Sequence, residues 1–283
     1  MADVAFLNGR FLPLAEAMVS VEDRGFLFGD GVYEVIRTYG GALFQLDAHL
    51  ARLDRSAAAI GLAMPHAPGE WPELIREAIR RGGHAESKVY LQVTRGVAPR
   101  DHAFPQGVQP TVLLTVRAMW PLTLEVRSQG VRAVTMEDVR WGRCDIKSLN
   151  LLPNVLARQR AKEADTFEAI FVKDGLITEG SVSNVMLARN GALMTPPEGP
   201  GILSGVTRQV VLDLARKDGL FVRECAVSLD DLRTADEVFL TGTTVEVLSV
   251  TSVDGREVGS GRPGPVARRL QERFDALVGG VRG

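Results

Sequence analysis

Four dipeptides, Asn8-Gly9, Gly40-Gly41, Asp174-Gly175 and Asn190-Gly191, lie between short runs rich in β-branched, aromatic or alternating apolar residues. Asparagine, aspartate and glycine accept the positive backbone angles of tight hairpins, so each dipeptide joins two strands as antiparallel neighbours. The runs they connect are VAFL with RFLPL, GVYEVIRTY with ALFQL, EAIFVK with LITEG, and SVSNVMLAR with ALMT. KVYLQVTRG and TVLLTVRAM add two strands bounded by glycine or proline. Most strand pairs being hairpins, the chain is expected to form antiparallel or mixed sheets with helices packed outside, an α+β fold rather than a doubly wound parallel sheet.

The helical segments are spaced between these hairpins. Asp47 is placed to cap a helix in which Leu50, Leu53, Ala57 and Ile60 recur on one side until Gly61, with Arg52 off that stripe. A second helix is expected over Glu73 to Arg81, with Leu74, Ile75, Ala78 and Ile79 inward. Pro153 suits the first turn of a helix over NVLARQRAKEA, Val206, Val210, Val211 and Leu214 mark one beginning near Gly205, and Val266, Leu270, Phe274 and Leu277 mark the last. Trp120-Pro121-Leu122 breaks the pattern, which predicts an N-terminal domain over 1–119, a linker over 120–127 and a C-terminal domain over 128–283.

At 283 residues, with 45% hydrophobic and 24% charged content, the chain is an ordinary globular sequence with ample core. Its net charge of -2 offers no basic surplus for nucleic acid, so small molecules are the expected partners. Asp3, Arg10 and Glu16 interrupt the first apolar positions as no secretory leader would, and no segment has the length of a membrane span. Cys144 and Cys225 are too few for a disulfide framework, and His49, His66, His84 and His102 stand singly, so the expectation is a reducing cytoplasm and no metal.

The chemistry centres on Lys147 in DIKSLNLL, framed by Ile146, Leu149, Leu151 and Leu152. An amine among aliphatic side chains is desolvated, which favours its neutral, nucleophilic form and prepares it to attack a carbonyl. The aldehyde of pyridoxal phosphate is the obvious one, and that cofactor also needs an acid at its ring nitrogen and a cradle for its phosphate. Glu179, in TEGSVSN, is the candidate acid. Each residue taken alone has a plainer reading, Lys147 as a solvated surface charge and Glu179 as a turn carboxylate. Agreement among separate segments decides between them.

Those segments are EDRGFLFGDGVYEV at 22–35, VTRGVAPRDHAFP at 93–105, DIKSLNLL at 145–152 and ILSGVTR at 202–208, with TEGSVSN and FLTGTT. Together, and in this order, they resemble the class IV, or fold type IV, pyridoxal-phosphate aminotransferases almost end to end, and most closely the D-amino acid branch. The resemblance implies a two-domain architecture with pyridoxal 5'-phosphate in the interdomain cleft. It makes Lys147 the Schiff-base lysine and general base, and Glu179 the partner of the pyridine nitrogen. It assigns the phosphate to Arg52 and to the helix start at Gly205, Val206 and Thr207, with Gly242 and Thr243 as a second donor loop. Gly242 departs from the serine common in that branch, which leaves only a backbone donor there.

By the same resemblance Leu203 presses on the cofactor ring, and Tyr33, Arg100 and His102 trap the substrate carboxylate, with Arg100 and His102 reaching into the other subunit of a homodimer. An arginine fork and a phenol suit a planar carboxylate. The implied reaction is transamination of D-alanine, D-glutamate or D-aspartate with a 2-oxo acid such as 2-oxoglutarate. The alternatives are a branched-chain L-amino acid aminotransferase, which LTGTT favours, an aminodeoxychorismate lyase, and a non-catalytic scaffold that has kept the fold. Cys144 and His49 read as structural, and Asp145 as at most a neighbour of the site.

Overall fold

The computed structural model describes residues 3–281, which form two compact units. One unit runs to Trp120 and takes in Ile146–Asn150, and the other comprises Pro121–Asp145 and Leu151–Val278. Lys147 therefore packs with the first unit although the chain on both sides of it belongs to the second.

The first unit contains β1 (Val4–Leu7), β2 (Arg10–Pro13), α1 (Arg24–Phe28), β3 (Gly31–Tyr39), β4 (Ala42–Leu43), α2 (Leu46–Ala59), α3 (Glu70–Gly82), β5 (Ser87–Thr94) and β6 (Thr111–Ala118). The strands make one sheet in the order β2-β1-β6-β5-β3-β4, every neighbour antiparallel. Asn8 and Gly9 take the positive φ values, 45° and 90°, that their hairpin demands. Alternation gives the sheet two different faces. Val32, Ile36, Val89, Leu91, Leu114 and Val116 are wholly buried with Leu53 of α2 and Ile75 of α3. Truncating Leu53 to alanine in this packing would cost about 3 kcal/mol. The opposite face carries Tyr33, Val35, Tyr90 and Gln92, all half-buried.

Three details differ from expectation. The residue before α2 is Gln45 in the left-handed region (φ 54°), and Asp47 lies inside the first turn, where its charge suits the helix dipole without capping it. The ALFQL segment contributes only the two-residue β4, because the chain turns into α2 at once. The next helix also begins at Glu70 rather than Glu73, placing Trp71 in the core.

The second unit contains α4 (Leu124–Gln129), β7 (Val131–Glu137), α5 (Leu152–Glu163), β8 (Glu168–Lys173), β9 (Leu176–Gly180), β10 (Asn184–Arg189), β11 (Ala192–Thr195), α6 (Val206–Lys217), β12 (Phe221–Glu224), β13 (Val227–Ser228), α7 (Leu229–Arg233), β14 (Glu237–Gly242), β15 (Glu246–Val253), β16 (Arg256–Glu257) and, as far as Val278, α8 (Pro265–Val281). Its sheet runs β12-β11-β10-β14-β15-β7-β8-β9-β13, with β16 beside β15. The hairpins at Asp174-Gly175 and Asn190-Gly191 are present, and three pairs are parallel: β11 with β12, β15 with β7, and β7 with β8. Parallel neighbours need crossovers, and α5 lies in the β7–β8 connection. On α5 the small residues Ala157 and Ala161 pack closely on Ala169 and Phe171. On α8 the buried stripe is Ala267, Leu270, Phe274 and Val278, so Val278 takes the place expected of Leu277, which is exposed. Among the described residues no helix is long and apolar enough to cross a membrane.

Candidate active site

Lys147 is held through its backbone. Its N–H donates to Ser56 Oγ at 3.1 Å, and its carbonyl accepts from Tyr33 N at 3.0 Å. Leu149 N adds a bond to Gly31 O at 3.1 Å, so the segment lies along the start of β3 like an extra strand. Strand geometry then sends alternate side chains apart: Ile146 and Ser148 are buried and Lys147 is half-buried between them. The aliphatic frame expected around the amine is only partly there, since Leu152 starts α5 and is 68% exposed. The amine instead rests against Tyr33, 3.4 Å from the hydroxyl it donates to and 4.4 Å from the ring centroid.

Next to Tyr33 in sequence, and so on the other face of β3, is Glu34, a charged residue among the buried positions Val32 and Ile36. It survives there because α2 brings two partners. Arg52 Nε donates to Oε1 at 2.7 Å and Arg52 Nη2 to Oε2 at 2.8 Å, and His49 Nδ1 lies 2.8 Å from Oε2. Burial alone would raise the Glu34 pKa, but the charge and bonds of Arg52, helped by His49, hold it at about 2. Burial pushes His49 below its ordinary value, with Glu34 opposing and Arg52 and Lys147 adding to the shift. Arg52, expected off the apolar stripe of its helix, is thus buried and ion-paired. Glu34 escaped the sequence reading, although a carboxylate in the inward register of an apolar strand was a legible signal.

In the second unit Glu179, at the end of β9, is buried and held on both oxygens. Oε2 accepts from Leu203 N at 3.0 Å and from Asn184 Nδ2 at 3.1 Å, while Oε1 accepts from Arg140 Nη1. Arg140 is itself fixed by Asp138, with Nε 2.9 Å from Oδ1 and Nη2 2.7 Å from Oδ2, and it lies over the Phe171 ring. Burial works against both charges of that pair. Arg140 and the Thr178 hydroxyl still bring Asp138 below the usual carboxylate range, and Asp138 and Glu179 raise Arg140. Cys144 lies among these charges, its thiol pushed up to about 11 chiefly by burial, which makes it a poor nucleophile. Arg140 had no motif to announce it, and Asn184, although it closes TEGSVSN, was given no role there.

Gly205 precedes α6 and has no side-chain cap, so no capping side chain takes the first N–H groups of that helix. A Cβ on Gly205 would stand 2.0 Å from Asn184 Oδ1, so only glycine lets the backbone come this close. Leu203 O accepts from Asn184 Nδ2 at 2.9 Å, which ties Leu203, Asn184 and Glu179 into one network. Asn184 is paired in register with Thr241, next to Gly242 and Thr243. The Thr241 hydroxyl is buried and finds no hydrogen-bond partner among the described residues. An anchored carboxylate, an uncapped helix start, a glycine cradle and an unspent hydroxyl fit a phosphorylated, ring-nitrogen cofactor.

Tyr33 therefore stands with Lys147, whereas Arg100 and His102 lie exposed on the loop after β5. Both flank the ring of Phe28: the Arg100 guanidinium is 5.2 Å from its centroid and the His102 ring 5.3 Å.

The class IV amino-transferase family matches residues 31–253. A D-alanine aminotransferase of Bacillus licheniformis is 48% identical over 93% of each chain, and one of Listeria monocytogenes is 43% identical over 95% of this chain and 93% of its own. Among solved structures, the branched-chain amino acid aminotransferase of Escherichia coli superposes with a TM-score of 0.87 at 30% identity, covering 98% of this chain and 95% of that one. The T.th. branched-chain amino acid aminotransferase with pyridoxamine 5'-phosphate gives a TM-score of 0.90 at 31% identity, covering 99% and 95%. The chain belongs to the class IV aminotransferases. It is an aminotransferase enzyme of fold type IV and uses pyridoxal 5'-phosphate, with small-molecule amino acids and oxo acids as its substrates.

Proposed function

We propose that this enzyme transfers the amino group of D-amino acids, of the D-alanine, D-glutamate and D-aspartate class, to 2-oxo acids such as 2-oxoglutarate. The observation that carries this reading is the end-to-end similarity to D-alanine aminotransferases, joined to the contact of Lys147 with Tyr33. Pyridoxal 5'-phosphate, when bound, supplies an aldehyde for the amine nitrogen and a ring that accepts the electron pair left by the departing α-proton.

Lys147 is the catalytic residue of this reading: it tethers the cofactor and, once displaced, its Nζ takes the proton from the substrate α-carbon and returns it. Tyr33, whose hydroxyl accepts from that amine, orients it. Glu179 holds a proton on the ring nitrogen, and its own position is kept by Leu203 N, Asn184 and Arg140. Leu203 takes the ring face. The phosphate falls to the N–H groups at Gly205, Val206 and Thr207, to Arg52, and to the loop of Gly242 and Thr243. Glu34 and His49 fix the direction of the Arg52 guanidinium. Tyr33, Arg100 and His102 take the substrate carboxylate, and where that carboxylate stands decides which enantiomer offers its α-proton to a lysine working from one side.

The working unit is a homodimer in which Arg100 and His102 serve the other subunit. The outward stripe of α5 supports a second copy as partner, because Leu152, Val155 and Leu156 are 68%, 58% and 56% exposed at helical spacing. A cytoplasmic enzyme with free thiols belongs to the same reading.

The test is a donor screen with D-alanine, D-glutamate, D-aspartate, L-leucine and aminodeoxychorismate, each with and without 2-oxoglutarate. D-alanine with 2-oxoglutarate should give pyruvate and glutamate, and L-leucine little. Preferential turnover of L-leucine would favour the branched-chain reading instead, and product from aminodeoxychorismate without an oxo acid would favour the lyase.

A further inference from the structure

Residues 22–30, EDRGFLFGD, supply no side chain to the proposed reaction, yet they surround a buried arginine. Arg24, on α1, is 3% exposed. Its Nε donates to Asp30 Oδ2 at 2.8 Å, its Nη1 to the carbonyl of Asp101, and its Nη2 to the carbonyl of His102 at 3.3 Å. Its ion-pair partner inside the protein is Asp30, shared with Arg95, whose Nε donates to the same carboxylate at 2.9 Å and 3.1 Å. Arg95 in turn grips the end of α2 through the carbonyls of Ile60 and Gly61.

Backbone bonds extend the knot. Arg24 N donates to Gly96 O at 2.9 Å, Arg95 N to Asp30 O at 3.0 Å, and Ala98 N to Glu22 O at 3.3 Å. Phe28, one helical turn after Arg24, places its ring within 4.9 Å of the Arg24 guanidinium, 5.2 Å of that of Arg100 and 5.3 Å of the His102 ring. The two exposed residues given to the substrate carboxylate therefore lie on a main chain that a buried, planar fork holds by two successive carbonyls. A surface loop without such a fork would sample many backbone states, and fixing it would fall on each binding event.

We propose that Arg24 is a positioning residue for substrate recognition: by clamping the carbonyls of Asp101 and His102 it sets the stance of Arg100 and His102. This rests on the reading that those two side chains take the carboxylate. The fork matters more than the charge, since a lysine could still pair with Asp30 but could not span both carbonyls. The cofactor site and Lys147 are not touched by Arg24, so its loss should appear in substrate affinity and not in chemistry.

The experiment compares Arg24→Lys, Phe28→Leu and Arg100→Ala holoenzymes by steady-state kinetics with D-alanine, and by calorimetric titration with D-lactate, a carboxylate that lacks the amine and does not react. Arg24→Lys should raise the KM for D-alanine and the Kd for D-lactate about tenfold, with kcat changed less than about twofold. Phe28→Leu, which leaves the ion pair intact, should move both constants the same way and serves if the lysine variant folds poorly. In the Arg100→Ala background, Arg24→Lys should add less than about twofold. If Arg100→Ala raises KM while Arg24→Lys and Phe28→Leu leave KM and the D-lactate Kd unchanged, or lower kcat alone, Arg24 has no positioning role. If Arg100→Ala itself changes neither constant, the carboxylate assignment falls, and this inference with it.

Discussion

Glu34 and Arg52 form a doubly bonded ion pair inside the first unit, Nε on Oε1 at 2.7 Å and Nη2 on Oε2 at 2.8 Å, with Glu34 wholly buried. A carboxylate in that position is stable only while its partner is present. Removing one member leaves the other charged and desolvated. Glu34→Gln should lower unfolding stability by about 3 kcal/mol, read as a lower urea midpoint at neutral pH. An unchanged midpoint would mean that the pair contributes nothing the amide cannot replace.

The same pair gives stability a direction with pH. Glu34 titrates at about 2 in the folded chain against an ordinary 4.5, so the unfolded chain takes up the proton first as pH falls. Its contribution is fully present above about 4.5 and is lost between there and about 2. His49, held below 6.5 by burial, acts in the same sense: the unfolded imidazole binds a proton near 6.5 when the folded one does not. Stability should therefore start to fall on acidification below 6.5 and fall more steeply below 4.5. In Glu34→Gln the steeper part should be reduced. Urea unfolding across this range would expose the error if wild type and variant ran parallel below 4.5.

Gly205 and Gly242 should respond in opposite ways to a side chain. A Cβ on Gly205 meets Asn184 Oδ1 at 2.0 Å, and Asn184 also bonds Glu179 and Leu203 O, so Gly205→Ala disturbs the helix start and the anchored carboxylate together. At Gly242 the nearest atoms to a Cβ are Val245 Cγ2 at 3.4 Å and Val182 O at 3.6 Å, ordinary contacts. Gly205→Ala should weaken cofactor retention at least about tenfold on dialysis, whereas Gly242→Ser should retain the cofactor as well as the parent or better. Equal retention in the two variants would remove the glycine cradle from the account.

Hairpins and core stripes were open to reading because they are local. Asn8-Gly9 and Asp174-Gly175 declare their angles within two residues, and the helix of Leu50, Leu53 and Ala57 declares its face within two turns. The pairing of β7 with both β8 and β15 is not written locally, because parallel neighbours come from distant segments. Lys147, Glu179 and Tyr33 were singled out through motifs. Arg140 was not, since its partner Glu179 lies 39 residues further on and no spacing rule links them. Asp47 misled as a cap because a left-handed residue, Gln45, starts α2 with no side-chain bond at all.

Glu179→Gln would keep the shape of the group that Leu203 N and Arg140 bind while removing its charge. If that charge holds the ring-nitrogen proton during the reaction, kcat should fall about a hundredfold with the D-alanine KM little changed. Rapid-mixing measurement of the half-reaction with D-alanine would decide it, and a rate equal to that of the parent would free Glu179 from any such role.

The most direct test of the whole account is borohydride reduction of the holoenzyme followed by proteolysis and peptide mapping. The account predicts that the cofactor is fixed to one nitrogen, that of Lys147 in the peptide containing DIKSLNLL. Label on any other lysine, or none at all, would contradict it.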